Sequence, residues 1–197
     1  MTPAQKQQIS PAKAEKIIGT NRPKNKERGL IFLFTGTGAG KTTNALGIAM
    51  RCVGHKRKVV IIQFLKWWKE TGEYRIRDML KPYYEIHQFG REGWVGFKNL
   101  DERDRKLCQE GLELARKVVA EQKPAVLILD EINIALHTKM LDKQEVLDFV
   151  THLPPETDVV MTGRYAPEEV WDAADFVTVI MDDKHPREMV SVEGINY

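Results

Sequence analysis

The chain reads as an α/β protein in which a mostly parallel β-sheet carries helices on both faces, and three observations lead there. Short apolar runs suited to buried strands alternate with stretches of helical period along most of the length. The first such run feeds Gly36-Thr37-Gly38-Ala39-Gly40-Lys41-Thr42-Thr43, which fits G-x-x-x-x-G-K-[ST] without a gap. A later run, Ala125 to Leu129, ends in paired carboxylates, Asp130 and Glu131.

Residues 1–28 stand apart from this alternation. They hold seven Lys or Arg against two Glu, plus three prolines, so a net charge of +2 conceals a basic arm before a mildly acidic body. Ala14 to Ile18 could form a helical turn, but few large apolar residues are present, and a flexible arm is expected. The sharper alternative is an arm that folds over an anionic ligand. Residues 29–197 are long enough for one well-buried nucleotide-binding domain. The N-terminus has no hydrophobic h-region and no apolar run reaches bilayer length, so the expected location is cytoplasmic, without a membrane. No basic stripe interleaved with aromatics marks the body, and nucleic acid is not expected as a partner. Cys52 and Cys108 form no C-x-x-C pair and are expected to pack in helices, and the five histidines show no ligand spacing for zinc.

Leu30 to Phe34 is a short strand, and the glycine loop follows it directly. Glycines at 36, 38 and 40 let backbone N–H groups turn inward where side chains would block a phosphate chain. Lys41 adds a point charge, and Thr42 offers a hydroxyl where such loops hold Mg²⁺. A helix through Gly54, with Leu46, Ala49, Met50 and Val53 at helical spacing, aims its positive end at the anion. Lys58 to Leu65 is a second strand, apolar nearly throughout as expected when both faces are covered. Trp67 and Trp68 follow at its carboxyl end, where ligands collect in parallel sheets, and they either border the site or cover an apolar edge. Tyr84 to Phe89 is a third strand, and Gly90 to Asn99 a glycine-rich loop with two aromatic rings. A long helix from Asp101 to Gln122, with Leu107, Leu114, Ala115 and Val118 inward, stops at Lys123-Pro124.

The strand over 125–129 then delivers Asp130 and Glu131 to face Mg²⁺ across the sheet from Thr42, directly or through water. Asp142 to Glu145 suggests a capped helix bearing Val146, Leu147, Phe149 and Val150, ended by Pro154-Pro155. Asp158 to Thr162 is a strand followed by Gly163-Arg164, where Arg164 meets a phosphate or pairs with a surface acid. Pro167 begins a helix through Ala174, and Phe176 to Met181 is the last strand. The glycine loop and the carboxylate strand together predict a P-loop NTPase, RecA-like architecture binding a nucleoside triphosphate.

The two motifs alone suit hydrolysis, phosphoryl transfer or group transfer from ATP. The order Phe34 to Thr43, then Arg51-Cys52-Val53-Gly54-His55, then Val60 to Lys66, resembles ATP:corrinoid adenosyltransferase. The likeness continues through Thr71-Gly72-Glu73, Leu129-Asp130-Glu131, Thr162-Gly163-Arg164 and Gly194-Ile195-Asn196-Tyr197, from about residue 27 onward. The resemblance implies transfer of the 5′-deoxyadenosyl group of ATP to the Co(I) centre of cobalamin or cobyrinic acid a,c-diamide, releasing triphosphate, in adenosylcobalamin biosynthesis or salvage. It implies ATP bound opposite to the usual P-loop direction. Lys41 and Thr42 are the candidate catalytic residues, and residues 36–43 with Arg51, Gln63 and Arg164 are candidates for binding ATP. Thr42, Glu131 and Asp130 are candidates for Mg²⁺.

The resemblance further implies a homodimer, a reduced flavoprotein as electron donor, and aromatic rings that crowd the lower corrin face so that Co(II) can accept an electron. The family pattern Gly-Phe-Thr-Trp is replaced by Gly93-Trp94-Val95-Gly96-Phe97, which makes Trp94 and Phe97 the candidates for that role. Ala39 stands where family members often carry a polar residue, removing one side chain near the triphosphate but not the backbone donor. Rival readings are a thymidine-kinase-like enzyme, for which two separated cysteines cannot supply a zinc ribbon, and a P-loop ATPase or ATP-binding switch in which Glu131 orients water. A cobalamin carrier would need an Asp-x-His-x-x-Gly signature that the chain lacks.

Overall fold

The computed structural model describes residues 26–93, 96, 99–184 and 190–195. Six strands, β1 (Ile31–Thr35), β2 (Val59–Phe64), β3 (Tyr84–Phe89), β4 (Val126–Asp130), β5 (Asp158–Thr162) and β6 (Phe176–Val179), form one sheet in the order β3-β2-β4-β5-β1-β6. Every neighbouring pair is parallel. The helices are α1 (Lys41–Gly54), α2 (Gly72–Arg75) running into a 3₁₀ turn (Ile76–Asp78), α3 (Glu102–Gln122), α4 (Ile132–His137), α5 (Lys143–Thr151) and α6 (Glu168–Ala173).

Side chains alternate between two apolar layers, as the pleat requires. Val60, Ile62, Phe64, Leu127, Leu129 and Val159 meet α3 to α6 on one face. Val59, Ile61, Val126 and Ile128 meet Ala45 and Ala49 of α1 on the other, with Tyr74 and Ile76 packed beside them. All six positions of β2 are buried, which is why its sequence is apolar with little alternation. On α3 the buried stripe runs through Asp104, Cys108, Gly111, Leu112, Ala115, Val118 and Val119, so the helix is rotated from the expected face and Leu107 and Leu114 lie at its margin. Gly111 is a close-approach point, since a Cβ there would lie 3.0 Å from Phe64 and 3.1 Å from Phe89.

The end of β6 and two short helical elements differ from expectation. Helix α1 starts at Lys41, at the end of the glycine loop, and Gly40 at φ 101° caps it directly. Strand β6 ends at Val179 rather than Met181, because the backbone of residues 180–182 turns against the glycine loop. α4 was not foreseen, since Glu131 caps it from a left-handed conformation without a side-chain hydrogen bond, leaving no sequence mark. The short α2 and its 3₁₀ turn likewise carry no buried residue to betray a period. Edge strand β6 is exposed along its length, and Phe176 stacks on Phe32 with centroids 4.7 Å apart. No helix among the described residues is long and apolar enough to cross a membrane.

Leu112 is 0 % exposed and Met79 is 83 % exposed. Leu112→Ala is expected to lower unfolding free energy by about 2–5 kcal/mol in urea titrations, and Met79→Ala by less than about 0.5 kcal/mol. Burial also pushes the Cys108 thiol up to about 12, so it should stay unmodified by thiol reagents at pH 8 until the protein unfolds.

Candidate functional site

Four adjacent strands leave the sheet at their carboxyl ends through left-handed backbone: β1 into Gly36 (φ 101°), β2 into Leu65 (φ 57°), β4 into Glu131 (φ 61°) and β5 into Gly163 (φ 128°). Leu65 and Glu131 hold this geometry at a side-chain steric cost, which only a well-determined surrounding sustains. Leu65 and Glu131, with Gly38 and Arg164 just past the other two turns, line a cavity of about 1260 Å³.

The glycine loop forms one wall. A Cβ on Gly36 would lie 2.3 Å from the Ile180 carbonyl oxygen, and one on Gly38 would lie 2.7 Å from the Met181 backbone. Glycine is needed at these two positions for packing against residues 180–182 as well as for access to phosphate. Gly38 N–H donates to Ile180 O at 2.8 Å, and Ala39 N–H donates to Asp182 Oδ1 at 3.0 Å, so this loop amide already binds an anionic oxygen. Lys41 is buried and its Nζ donates to Gly38 O. Burial, then the Arg164 charge, hold its pKa below the usual lysine value, against the pull of Glu131, Asp182 and Asp130.

Asp130 is 0 % exposed and accepts four side-chain hydrogen bonds. Oδ1 takes Thr42 Oγ1 at 2.9 Å and Thr162 Oγ1 at 2.7 Å. Oδ2 takes Gln63 Nε2 at 3.0 Å and Lys66 Nζ at 2.7 Å. Burial alone would raise its pKa, but the Lys66 charge and the bonds from Lys66, Thr162 and Thr42 together outweigh it and hold the carboxylate ionised below the usual range. Glu131 lines the cavity beside it. Its pKa is raised, first by burial and then by the Asp130 charge, with Lys66, Lys41 and Arg164 opposing. Its Oε2 lies 3.2 Å from where a Gly163 Cβ would stand, and Asn133 donates to Gly163 O at 3.1 Å, so residue 163 must be glycine for the two strand ends to close together.

Gly38 to Thr43, Glu131 and Arg164 line the cavity. Gly36 and Thr37 lie at the base of the loop, outside that lining. Gln63 is buried behind the wall, donating to Asp130 and Glu73 and accepting from Gln88, so its contacts are with Asp130's surroundings rather than with the open cavity. Arg51 is exposed in the last turn of α1, away from the loop and off the lining. Trp67 and Trp68 both line the cavity, which settles their two readings in favour of bordering the site. Leu46 and Met50, apolar residues at helical spacing on α1, line this cavity. Trp94 and Phe97 lie outside the described residues; Arg91, before them in the chain, pairs with Asp104 at 2.9 Å and Asp101 at 3.2 Å.

Lys66, expected only as part of a loop bordering the site, and Thr162, Gln88 and Asp182, given no role from sequence, all lie at this group of residues. The positions of Lys66 and Thr162 at strands' carboxyl ends were the available signal; Asp182 gave none, since only folding brings it to the glycine loop. Among the described residues no cluster of three or more His, Cys, Asp or Glu exists. The donor set of Thr42, Asp130 and Glu131 is therefore all oxygen and too small for a protein cage. It suits a hard cation that keeps waters and shares phosphate oxygens, as Mg²⁺ does. Lys66 Nζ, 2.7 Å from Asp130 Oδ2 and 3.3 Å from Thr42 Oγ1, shows that this point accepts positive charge.

A family model described as ATP:corrinoid adenosyltransferase BtuR/CobO/CobP matches residues 27–197. A corrinoid adenosyltransferase of Sinorhizobium sp is 35% identical over 179 residues, covering 89% of this chain and 81% of that protein. A corrinoid adenosyltransferase of Escherichia coli (strain K12) is 32% identical over 171 residues, covering 87% of this chain and 86% of that protein. Among solved structures, the flagellar accessory protein FlaH from Methanocaldococcus jannaschii superposes with a TM-score of 0.54 at 13% identity, over 84% of this chain and 75% of that one. That likeness is one of fold.

Because the folded state holds the Glu131 proton more tightly than the unfolded chain does, rising pH removes stability from the wild type. In metal-free buffer, Glu131→Gln is expected to raise Tm at neutral pH. The gain should shrink toward zero below the unfolded carboxylate value of about 4.3. Thermal melts across pH 3–8 check this; a Tm at neutral pH equal to or below that of the wild type contradicts it.

Proposed function

The chain belongs to the ATP:corrinoid adenosyltransferase family, and from that premise we propose that the cavity joins ATP and a corrinoid so that Co(I) attacks the 5′ carbon and triphosphate departs. Its activity is ATP:corrinoid adenosyl transfer. The observation that carries the proposed geometry is one cavity, larger than the few hundred to 1,000 Å³ of most small-molecule sites, with the glycine loop on one wall and Trp67, Trp68, Leu46, Met50 and Ile76 on others. An anion cradle and an apolar, aromatic wall then share one space.

A Co(I) nucleophile carries no proton, so the protein needs no general base. Its task is to align the reactants and to stabilise charge that grows on the leaving triphosphate. The amides of residues 38–43 are the donors, with Lys41 and Arg164 supplying positive charge from the same cavity. Lys41, its pKa already lowered by burial and by Arg164, becomes more favourably charged as phosphate enters. Thr42 and Glu131 would hold Mg²⁺, with Asp130 orienting Thr42 from behind, and the bound ion would add charge neutralisation at the triphosphate. Gln63 supports Asp130, while Arg51 keeps only the tentative role given by resemblance.

Trp94 and Phe97 are proposed to crowd the lower corrin face. The same proposal includes a domain over 29–197 with a basic arm over 1–28, a homodimer, a cytoplasmic location and a reduced flavoprotein donor, each resting on the sequence or its resemblance.

Anaerobic incubation with ATP, Mg²⁺ and chemically reduced cobalamin should yield a carbon–cobalt product in step with intact triphosphate. Phosphate and ADP without alkylated cobalt would favour the ATPase alternative. Lys41→Ala and Thr42→Ala should each lower kcat about 10²–10³-fold, the scale of losing one transition-state charge partner. Trp94→Ala and Phe97→Ala should impair turnover that starts from Co(II) more than turnover from chemically supplied Co(I), a ratio read directly by visible spectroscopy.

A further inference from the structure

Lys66 belongs neither to the glycine loop nor to the carboxylate pair, yet its ammonium occupies the centre of the site. Nζ lies 2.7 Å from Asp130 Oδ2 and 3.3 Å from Thr42 Oγ1. Thr42 Oγ1 in turn lies 2.9 Å from Asp130 Oδ1. The hydroxyl and carboxylate that a divalent cation would approach are thus spanned by a positive charge on a tether. Leu65, immediately before it, is held at φ 57°, which sets the direction in which residue 66 leaves β2. The lysine side chain is 30 % exposed and lines the cavity beside Glu73 and Gln88, so its flexible stem has room to turn.

We propose that Lys66 is the resident counter-cation of the metal position and makes divalent-cation binding conditional on the triphosphate. The inference deepens the adenosyl-transfer reading and rests on it. A divalent ion and an ammonium repel strongly at hydrogen-bonding range, so the ion alone must drive Lys66 off Asp130 with no anion to receive it. When triphosphate enters with the ion, its oxygens supply that partner, and the ammonium exchanges one anion for another within the cavity. The arrangement also keeps Asp130 compensated while the site is empty, since a buried carboxylate without a cation is strongly unfavourable. A purely structural ion pair would meet this last need and no more.

The test is Mn²⁺ binding to the nucleotide-free protein, followed by the loss of the free-ion EPR signal, for wild type, Lys66→Met, Lys66→Gln and Lys66→Arg. Wild type and Lys66→Arg should bind Mn²⁺ weakly. Lys66→Met and Lys66→Gln should bind at least about tenfold tighter, and Mn²⁺ should raise their Tm more than it raises that of the wild type. If Lys66→Met folds only with Mn²⁺ present, that too supports the exchange, and Lys66→Gln carries the same comparison. Equal Mn²⁺ affinity across the folded variants overturns it and leaves Lys66 a structural partner of Asp130. Neither ATP nor corrinoid enters the measurement, so failure here is distinct from failure of the adenosyl-transfer reading, which the triphosphate product decides.

Discussion

A single buried carboxylate ties the molecule together. Asp130 has no exposed surface, and its four partners arrive from separate parts of the chain: Thr42 from α1, Gln63 from β2, Lys66 from the turn after β2, and Thr162 from β5. A carboxylate so placed is tolerable only when charge and lone pairs are both answered. Satisfying it therefore fixes the glycine loop against the sheet, the register of β2 with β4, and the approach of β5. Thr162 extends the constraint by accepting from Glu131 N–H at 3.0 Å while donating to Asp130, which holds the second acid in its left-handed turn.

The sheet supplies the rigidity on which this arrangement depends. The inner strands β2, β4, β5 and β1 are closed on both sides by parallel neighbours, and apolar layers lie above and below the sheet, so their ends cannot drift. Backbone strain is placed where those ends open into the cavity, at Leu65 and Glu131, and each strained residue sits next to a charged group of the site. The glycine loop follows the same logic, because the backbone of residues 180–182 packs so closely on Gly36 and Gly38 that no side chain would fit. The segment after the edge strand β6 thus shapes the loop although it lies far from it in sequence.

The internal charges also anticipate the ligands. Asp182 places a carboxylate oxygen on the Ala39 amide, and Lys66 places an ammonium on Asp130 and Thr42. On the proposed reading, one takes the place of a phosphate oxygen and the other that of a cation. Both contacts form within the folded chain and answer part of the charge at the strand ends.

Much of this was written locally in the chain. The strand-loop-helix order around Lys41, the apolar run before Asp130, and the parallel α/β class follow from spacing and period, which neighbouring residues alone determine. The family resemblance rested on short strings such as Gln63 to Lys66. The exposed position of Arg51, the withdrawal of Gln63 behind the wall, the place of Leu46 and Met50 in the cavity lining, and the convergence of Lys66, Thr162 and Asp182 were not legible. Helix rotation, strand-end direction and contacts between residues tens of positions apart depend on how layers pack and which buried charge must be neutralised. A linear pattern specifies which residues seek burial, but only the assembled sheet decides which polar groups are buried with them, and therefore which ones must meet.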